Sequence, residues 1–141
     1  SFMNKKFEKL LDELRKLDLP DGKYAILGSG PLAVRGIREA RDLDIIVTDD
    51  LYKKLQKEYS QNDKIKLGKI EIFSANGWRS KFGDLTKMIK QAEKIQGLRF
   101  VCLEDLIEWK TKLGRPKDLE DIKLIKDYLK SFNNVFGDNQ G

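Results

Sequence analysis

Apolar and polar residues alternate along the chain with two different periods, which predict a mixture of helices and strands. Helical spacing of apolar residues predicts the helices, which we place at residues 3–17, about 31–39, about 50–59, 84–94, 103–113 and about 117–131. Short apolar or alternating runs predict the strands, which we place at residues 24–27, 43–47, 65–67, 70–73 and 97–102. This order predicts an α+β fold in which helices pack on a mixed β-sheet.

The length of 141 residues fits one domain with a substantial hydrophobic core. Within residues 1–141 we expect a sheet-and-helix core at 3–97, followed by a C-terminal strand and helical part at 98–131. Residues 133–141 are expected to fray. No apolar run is long enough to span a membrane, and the first helix is charged and amphipathic, unlike a signal peptide. We therefore expect a cytoplasmic protein that does not contact a membrane.

The composition removes several kinds of catalytic and metal site. The chain contains no histidine and a single cysteine, Cys102, which excludes His-based acid–base catalysis and leaves too few ligands for a structural zinc site. One cysteine also excludes an internal disulfide and agrees with a reducing compartment. The net charge of +5 fits a polyanionic partner such as a nucleotide or RNA, and a generally lysine-rich composition accounts for it equally well.

The most informative polar residues are two aspartates one residue apart, Asp42 and Asp44, at the start of the strand predicted at 43–47. Side chains two residues apart in a strand point to the same face, so both carboxylates leave one face of the sheet. Glu71 alternates with apolar neighbours in the strand at 70–73 and would complete a three-carboxylate site if that strand pairs beside them. Such oxygen ligands suit Mg²⁺, which proteins hold through one or two carboxylates plus substrate phosphates.

A tight turn, Gly28-Ser29-Gly30, joins the buried strand at 24–27 to the helix predicted from Pro31. Free backbone N–H groups at a helix start, with the positive end of the helix dipole, favour binding of an anion. Ser29 has a second interpretation as an N-cap that needs no ligand, and the two roles are compatible.

These features together resemble the nucleotidyltransferase superfamily with the DNA polymerase β-type fold. The shared features are Leu27-Gly28-Ser29, the Asp42-Leu43-Asp44 pattern and the later Glu71. The C-terminal part is similar to the closing motif of the small bacterial and archaeal branch that includes the AbiEii-type toxins. Its residues are Asp105, Lys110, Arg115, Lys117, Asp118 and Asp121. The stretch from Arg35 to Arg41 also looks like this branch.

The resemblance implies a metal-dependent enzyme that transfers a nucleoside monophosphate from a nucleoside triphosphate to an acceptor hydroxyl and releases pyrophosphate. Asp42 and Asp44 would bridge two Mg²⁺ ions, with Mn²⁺ as the alternative, and Glu71 would bind the ion that activates the acceptor oxygen. The nucleotide-binding residues would be Gly28, Ser29, Arg38, Lys110, Lys117 and Asp118. The acceptor implied is a tRNA or other RNA, a protein or a small molecule, and a cognate antitoxin is a further implied partner.

Other interpretations remain open at this level. The C-terminal block has a structural explanation, in which Gly114 ends one helix, Pro116 opens the next and Asp118 caps it. Trp78, in a glycine-containing loop, is a candidate for contact with a base, although tryptophans more often serve the core or an interface. At the level of function, the alternatives are a non-catalytic nucleotide-binding module and a toxin–antitoxin interaction protein on the same scaffold.

Overall fold

Six strands form one mixed β-sheet in the computed structural model, which describes residues 4–59 and 64–137. The strands are β1 (Tyr24–Leu27), β2 (Leu43–Val47), β3 (Ile65–Leu67), β4 (Ile70–Ser74), β5 (Glu93–Ile95) and β6 (Leu98–Phe100). Their order across the sheet is β3-β4-β2-β1-β6-β5. The β2–β4 and β1–β6 pairs are parallel, and the β1–β2, β3–β4 and β5–β6 pairs are antiparallel. The predicted α+β class with a mixed sheet is therefore confirmed.

Helices cover both faces of this sheet. They are α1 (Lys5–Lys16), α2 (Gly30–Ala33), α3 (Asp49–Tyr59), α4 (Leu85–Lys90), α5 (Leu103–Leu113) and α6 (Pro116–Gly137), with a short 3-10 helix at Trp78–Phe82. Buried residues of α1 and α3 belong to one core layer, whereas those of α4, α5 and α6 belong to the other. No helix in the described ranges has the length and apolar character needed to cross a membrane.

The period-2 pattern of β2 explains how a strand at the centre of the sheet serves both layers. Leu43, Ile45 and Val47 are buried in the layer with α1 and α3, and Ile46 is buried in the opposite layer. Asp44 has the same parity as Ile46, so its carboxylate leaves the sheet on the side of α4, α5 and α6. The alternation thus fixes which side of the sheet carries the acidic residues.

Several predicted elements are confirmed closely. Strands β1 and β2 and helix α5 have the predicted bounds, and α3 begins one residue earlier than predicted. Gly114 ends α5 in a left-handed conformation with φ of 63°, which a glycine adopts without strain. Helix α1 has Asn4 as its N-cap, whose side chain accepts a hydrogen bond of 2.8 Å from the backbone N–H of Phe7. Met3, at the predicted start of this helix, lies outside the described residues.

The helix predicted at 31–39 is wrong in length, since α2 ends at Ala33. The chain turns again at Gly36, which has φ of 73° and interrupts the helical path. Gly30 packs directly on β1, and a Cβ atom there would lie 2.4 Å from Ile26 Cγ2. The short α2 is therefore held by a close glycine contact with the sheet, rather than by a long amphipathic face.

The helix predicted at 84–94 is also wrong beyond its first half. Helix α4 ends at Lys90, and residues 93–95 form β5, an edge strand that pairs with β6. Gln96 and Gly97 both have positive φ, 53° and 80°, as a two-residue hairpin turn between these strands requires. The final strand predicted at 97–102 is accordingly limited to 98–100.

Toward the C-terminus, α6 continues to Gly137, beyond the end predicted at about 131. The predicted fraying of residues 133–141 stays a prediction, and residues 138–141 lie outside the described part. The loop predicted at 74–83 contains the 3-10 helix.

Candidate active site

Two of the three predicted acidic residues are direct neighbours on adjacent strands. Asp44 on β2 and Glu71 on β4 are cross-strand partners in the parallel pair, and Leu27 of β1 is the partner of Asp44 on its other side. Both acidic side chains are half-buried. Asp42, two residues before Asp44, is exposed just outside the strand. The predicted three-carboxylate site depended on pairing of β2 with β4, and the two strands do pair.

All three carboxylates line one cleft of about 420 Å³, which we call the acidic cleft. Its other lining residues are Arg41, Leu43, Lys66, Gly68 and Lys69. Lys66 of β3 is the cross-strand partner of Glu71, so basic side chains border the acidic ones directly. The cleft thus combines carboxylates with lysine and arginine side chains on its rim.

The glycine turn lies against this cleft. Gly28 has φ of 71°, and a Cβ atom at this position would lie 3.0 Å from Asp44 Oδ2. Both the left-handed backbone and the close approach of the carboxylate therefore require glycine at residue 28. The structure brings the predicted phosphate-binding turn and the predicted metal ligand Asp44 into contact.

The electrostatics around Asp44 show that its negative charge is only partly compensated. Burial raises the pKa of the Asp44 carboxyl, and the nearby carboxylates of Asp42 and Glu71 raise it further. The positive charges of Arg79 and Lys117 oppose this effect without cancelling it. A buried acidic group with like charges beside it is typical of a site that binds a cation or a proton.

Because the pKa of Asp44 is raised, its ionised form destabilises the folded protein relative to the unfolded chain. We expect Asp44→Asn, in metal-free buffer at pH 7, to raise the midpoint of thermal unfolding, with Asp127→Asn, at an exposed position of α6 outside the acidic cleft, as the matched control. The advantage of the variant should disappear as the pH falls below the ordinary carboxyl pKa, since Asp44 is then protonated in both states. A variant less stable than the wild type at pH 7 would contradict this electrostatic picture.

The donor set fits a hard divalent cation. Asp42, Asp44 and Glu71 offer only carboxylate oxygens, which Mg²⁺ and Mn²⁺ prefer to nitrogen or sulfur ligands. Within the described ranges, no three or more Asp, Glu, Cys or His side chains are already gathered as a metal site. The strand register places Asp44 beside Glu71.

Ser29 does not act as the predicted helix cap. It occupies the N-cap position of α2, but its side chain makes no capping hydrogen bond. Instead, Ser29 Oγ accepts a hydrogen bond of 2.7 Å from the Arg38 guanidinium. Because α2 has only four residues, the helix-dipole contribution to the predicted anion site is also much smaller than expected.

Arg38 links the glycine turn to α6 through a buried carboxylate. Its guanidinium donates two hydrogen bonds to Asp121, of 2.6 and 2.8 Å, in addition to the one to Ser29. Burial raises the pKa of Asp121, but the hydrogen bonds from Arg38 and Lys110 outweigh it and hold the pKa below its ordinary value. Asp121, a partner that the sequence did not reveal, therefore holds Arg38 next to the turn, and the predicted nucleotide-binding role of Arg38 stays a prediction.

Lys110 and Asp118 belong to the same ionic network, below the surface of the cleft. Lys110 is only 4% exposed, and its Nζ lies 2.9 Å from Asp121 Oδ2 and 3.7 Å from Asp118 Oδ1. Asp118 is 1% exposed and accepts hydrogen bonds from the Arg115 side chain and backbone N–H. Lys110 and Asp118 thus join α5 to α6 through an ion pair, and both side chains are buried.

Two exposed basic residues of this block, Arg115 and Lys117, interact electrostatically with Asp44. Asp118 orients Arg115 through a two-pronged contact of 2.6 and 3.1 Å. The buried Asp118 therefore holds a cationic group that interacts with Asp44.

Arg79 is a site residue that the sequence did not indicate. Its guanidinium stacks on the Phe73 ring, with 3.7 Å between Cζ and the ring centroid, and interacts electrostatically with Asp44 and Glu71. Its buried Nε has no hydrogen-bond partner in the part of the chain that the structure describes. The only signal in the sequence is its position beside Trp78 in the glycine-containing loop, which gave no direction for the side chain.

Comparison with known proteins adds no family assignment to this geometry: no protein-family model matches the chain, and no curated protein is significantly similar to it.

Proposed function

We propose that the protein is a small metal-dependent nucleotidyltransferase with a DNA polymerase β-type fold. The observation that carries the proposal is the register of β2 and β4, which sets Asp44 beside Glu71 in a cleft that Asp42 also lines. The contact between Gly28 and Asp44 adds the second part of the arrangement that the resemblance implies, a glycine turn next to the carboxylates.

The proposed reaction is an in-line displacement at the α-phosphorus of a nucleoside triphosphate. An acceptor hydroxyl oxygen forms the new bond to phosphorus, the α–β bridging bond breaks and pyrophosphate leaves. Asp42, Asp44 and Glu71 would hold the metal ions, and bound ions would supply positive charge for the entering and leaving oxygens. Glu71 Oε would take the proton of the acceptor hydroxyl, since the chain has no histidine for this task.

Several basic groups suit the triphosphate. Arg115 and Lys117 lie near Asp44, Lys66 and Lys69 line the acidic cleft, and Arg38 donates to Ser29 at the turn. Charge-assisted hydrogen bonds from such groups to phosphate oxygens are stronger than neutral ones. The predicted role of Lys110 is therefore reassigned in this proposal: its buried ammonium positions Asp121, and exposed cations contact the phosphates.

Calorimetric titration with each of the four common ribonucleoside triphosphates, with and without Mg²⁺, tests this function. We expect binding that requires Mg²⁺ and disappears in the double variant Asp42→Ala/Asp44→Ala. The control is Asp49→Ala/Asp50→Ala, which removes two carboxylates at the start of α3 and should leave binding intact. Absence of metal-dependent binding to all four nucleotides would overturn the proposal.

A second candidate, a non-catalytic nucleotide-binding module, is favoured by one specific observation. Arg79 already supplies positive charge to Asp44 and Glu71, as a fixed cation does in a site that works without metal. The same titration separates the two candidates. Binding that is independent of Mg²⁺ and unchanged in Asp42→Ala/Asp44→Ala would support the module and contradict the enzyme.

A further inference from the structure

A second cavity, of about 530 Å³, opens beside the acidic cleft and shares Glu71 with it. We call it the Trp78 pocket; its other lining residues are Tyr52, Lys64, Ile72, Phe73, Ser74, Gly77 and Arg79. Its volume falls within the range of about 300–1,000 Å³ that is common for small-molecule sites. The shared wall places any occupant of this pocket next to the proposed site of chemistry.

The walls of the Trp78 pocket present flat surfaces. Trp78 is 62% exposed although it is the largest kind of apolar side chain, and its ring packs edge-on against Phe82, with 6.1 Å between centroids. This contact holds the indole, and most of its surface stays accessible although Arg79 Cζ and Lys81 Nζ lie 5.1 and 5.8 Å from the ring centroid. Arg79 stacks on Phe73, so that a second planar group, the guanidinium, is fixed within the same pocket.

The pocket also offers hydrogen-bonding groups at its edge. Arg79 lines the pocket, and the terminal N–H groups of its guanidinium are hydrogen-bond donors for an acceptor atom of a ligand. Glu71 and Ser74 provide acceptors in the same lining. Planar surfaces combined with edge donors and acceptors match a heteroaromatic ring that carries ring nitrogens and carbonyl oxygens.

We propose that the Trp78 pocket binds a nucleobase, which stacks on Trp78 while its edge meets Arg79. This inference rests on the proposed function, since it makes the pocket the base subsite of the nucleotidyltransferase reaction. The base belongs either to the nucleoside triphosphate or to the terminal nucleotide of a nucleic acid acceptor. Both sources share the same ring chemistry, and the experiment below distinguishes them.

The experiment measures binding of nucleosides that carry no phosphate, without metal, by quenching of Trp78 fluorescence in a Trp109→Phe background. Trp109 is 3% exposed and would otherwise contribute a buried emission. Ligand-observed NMR titration of the unaltered protein gives the same affinity if that background fails to fold. Because Trp78→Ala lacks the reporting indole, this variant is compared with the wild type by the NMR titration. Stacking on an aromatic side chain contributes about 1–3 kcal/mol per base, so Trp78→Ala should bind about 5- to 150-fold more weakly.

Trp78→Phe is the matched control, since it keeps an aromatic ring and should retain most of the NMR-detected affinity. Ribose 5-phosphate should not bind. Equal affinity for nucleosides in the wild type and Trp78→Ala, or no saturable binding by any nucleoside, would overturn the proposal.

Two further measurements distinguish base binding from the proposed nucleotidyltransferase reaction and identify the molecule that carries the base. Nucleoside binding should survive in Asp42→Ala/Asp44→Ala, whereas metal-dependent triphosphate binding should not, so that the two proposals fail independently.

If Trp78→Ala weakens binding of a nucleoside triphosphate relative to inorganic triphosphate, the base is that of the nucleotide. If it weakens only binding of a short single-stranded RNA ending in a free 3′ hydroxyl, the base is that of the acceptor.

Discussion

Replacing Asp121 with alanine should lower the free energy of unfolding by about 3–5 kcal/mol, the usual cost of breaking a buried ion pair by removing one partner. Asp121 is 4% exposed and accepts hydrogen bonds from both Arg38 and Lys110. Its loss would leave the ammonium of Lys110, which is also 4% exposed, with Asp118 at 3.7 Å as its remaining charged partner. Urea denaturation of the wild type and the variant at pH 7 measures the difference.

The matched control for this change is Asp12→Ala, which breaks a salt bridge to Arg15 on the surface of α1, where Asp12 is 68% exposed. That substitution should cost no more than about 1 kcal/mol, as exposed ion pairs usually do. Because the pKa of Asp121 is lowered in the folded protein, its contribution is present above the ordinary carboxyl pKa and is lost as the pH falls through the lower value. The difference between wild type and Asp121→Ala should therefore shrink in acid. Similar costs for the two variants would contradict the assigned network.

Replacing Glu71 with glutamine should reduce the rate of nucleotide transfer by at least about 10²–10⁴-fold, which is the usual contribution of a general acid–base group. Glutamine keeps the size of the side chain but removes the charge and the basic oxygen. A labelled-nucleotide transfer assay, in which Mg²⁺ and cell RNA or protein are supplied as acceptors, measures the rate. Asp44 remains in this variant, so binding of the triphosphate should be affected less than transfer.

The control for that substitution is Glu58→Gln, an exposed carboxylate of α3 outside the acidic cleft. This variant should transfer the nucleotide at the wild-type rate. A Glu71→Gln protein with undiminished transfer would show that Glu71 neither takes the proton nor binds a required cation.

Local patterns were sufficient for most of the fold because the decisive residues lie next to each other in sequence. The alternation in Leu43–Val47 predicts β2, and Gly114 with Pro116 predicts the boundary between α5 and α6. The pattern failed where a tertiary contact replaced an amphipathic face. Residues 93–95 form an edge strand because they pair with 98–100, and their charged composition gave no strand signal.

In the candidate site, too, local sequence patterns predicted some residues and tertiary contacts determined the others. Asp42 and Asp44 were predicted from strand parity, and the position of Glu71 followed once β4 was placed beside β2. The bond from Arg38 to Asp121 joins residues 83 positions apart, and no local spacing predicts it. Arg79 was missed for a related reason. The 3-10 helix that carries it has no periodic pattern, and the direction of the Arg79 side chain is set by stacking on Phe73.

The central claim is that Asp42, Asp44 and Glu71 bind a divalent cation together with a nucleotide. NMR spectra of the labelled protein with a nucleoside triphosphate and substoichiometric Mn²⁺ test it directly, because the paramagnetic ion broadens only nearby resonances. We expect selective broadening of the amide resonances of Gly28, Asp44 and Glu71, with those of Gly97 and Lys112 unaffected, and loss of the effect in Asp42→Asn/Asp44→Asn. Broadening centred elsewhere, or unchanged in that variant, would contradict the claim.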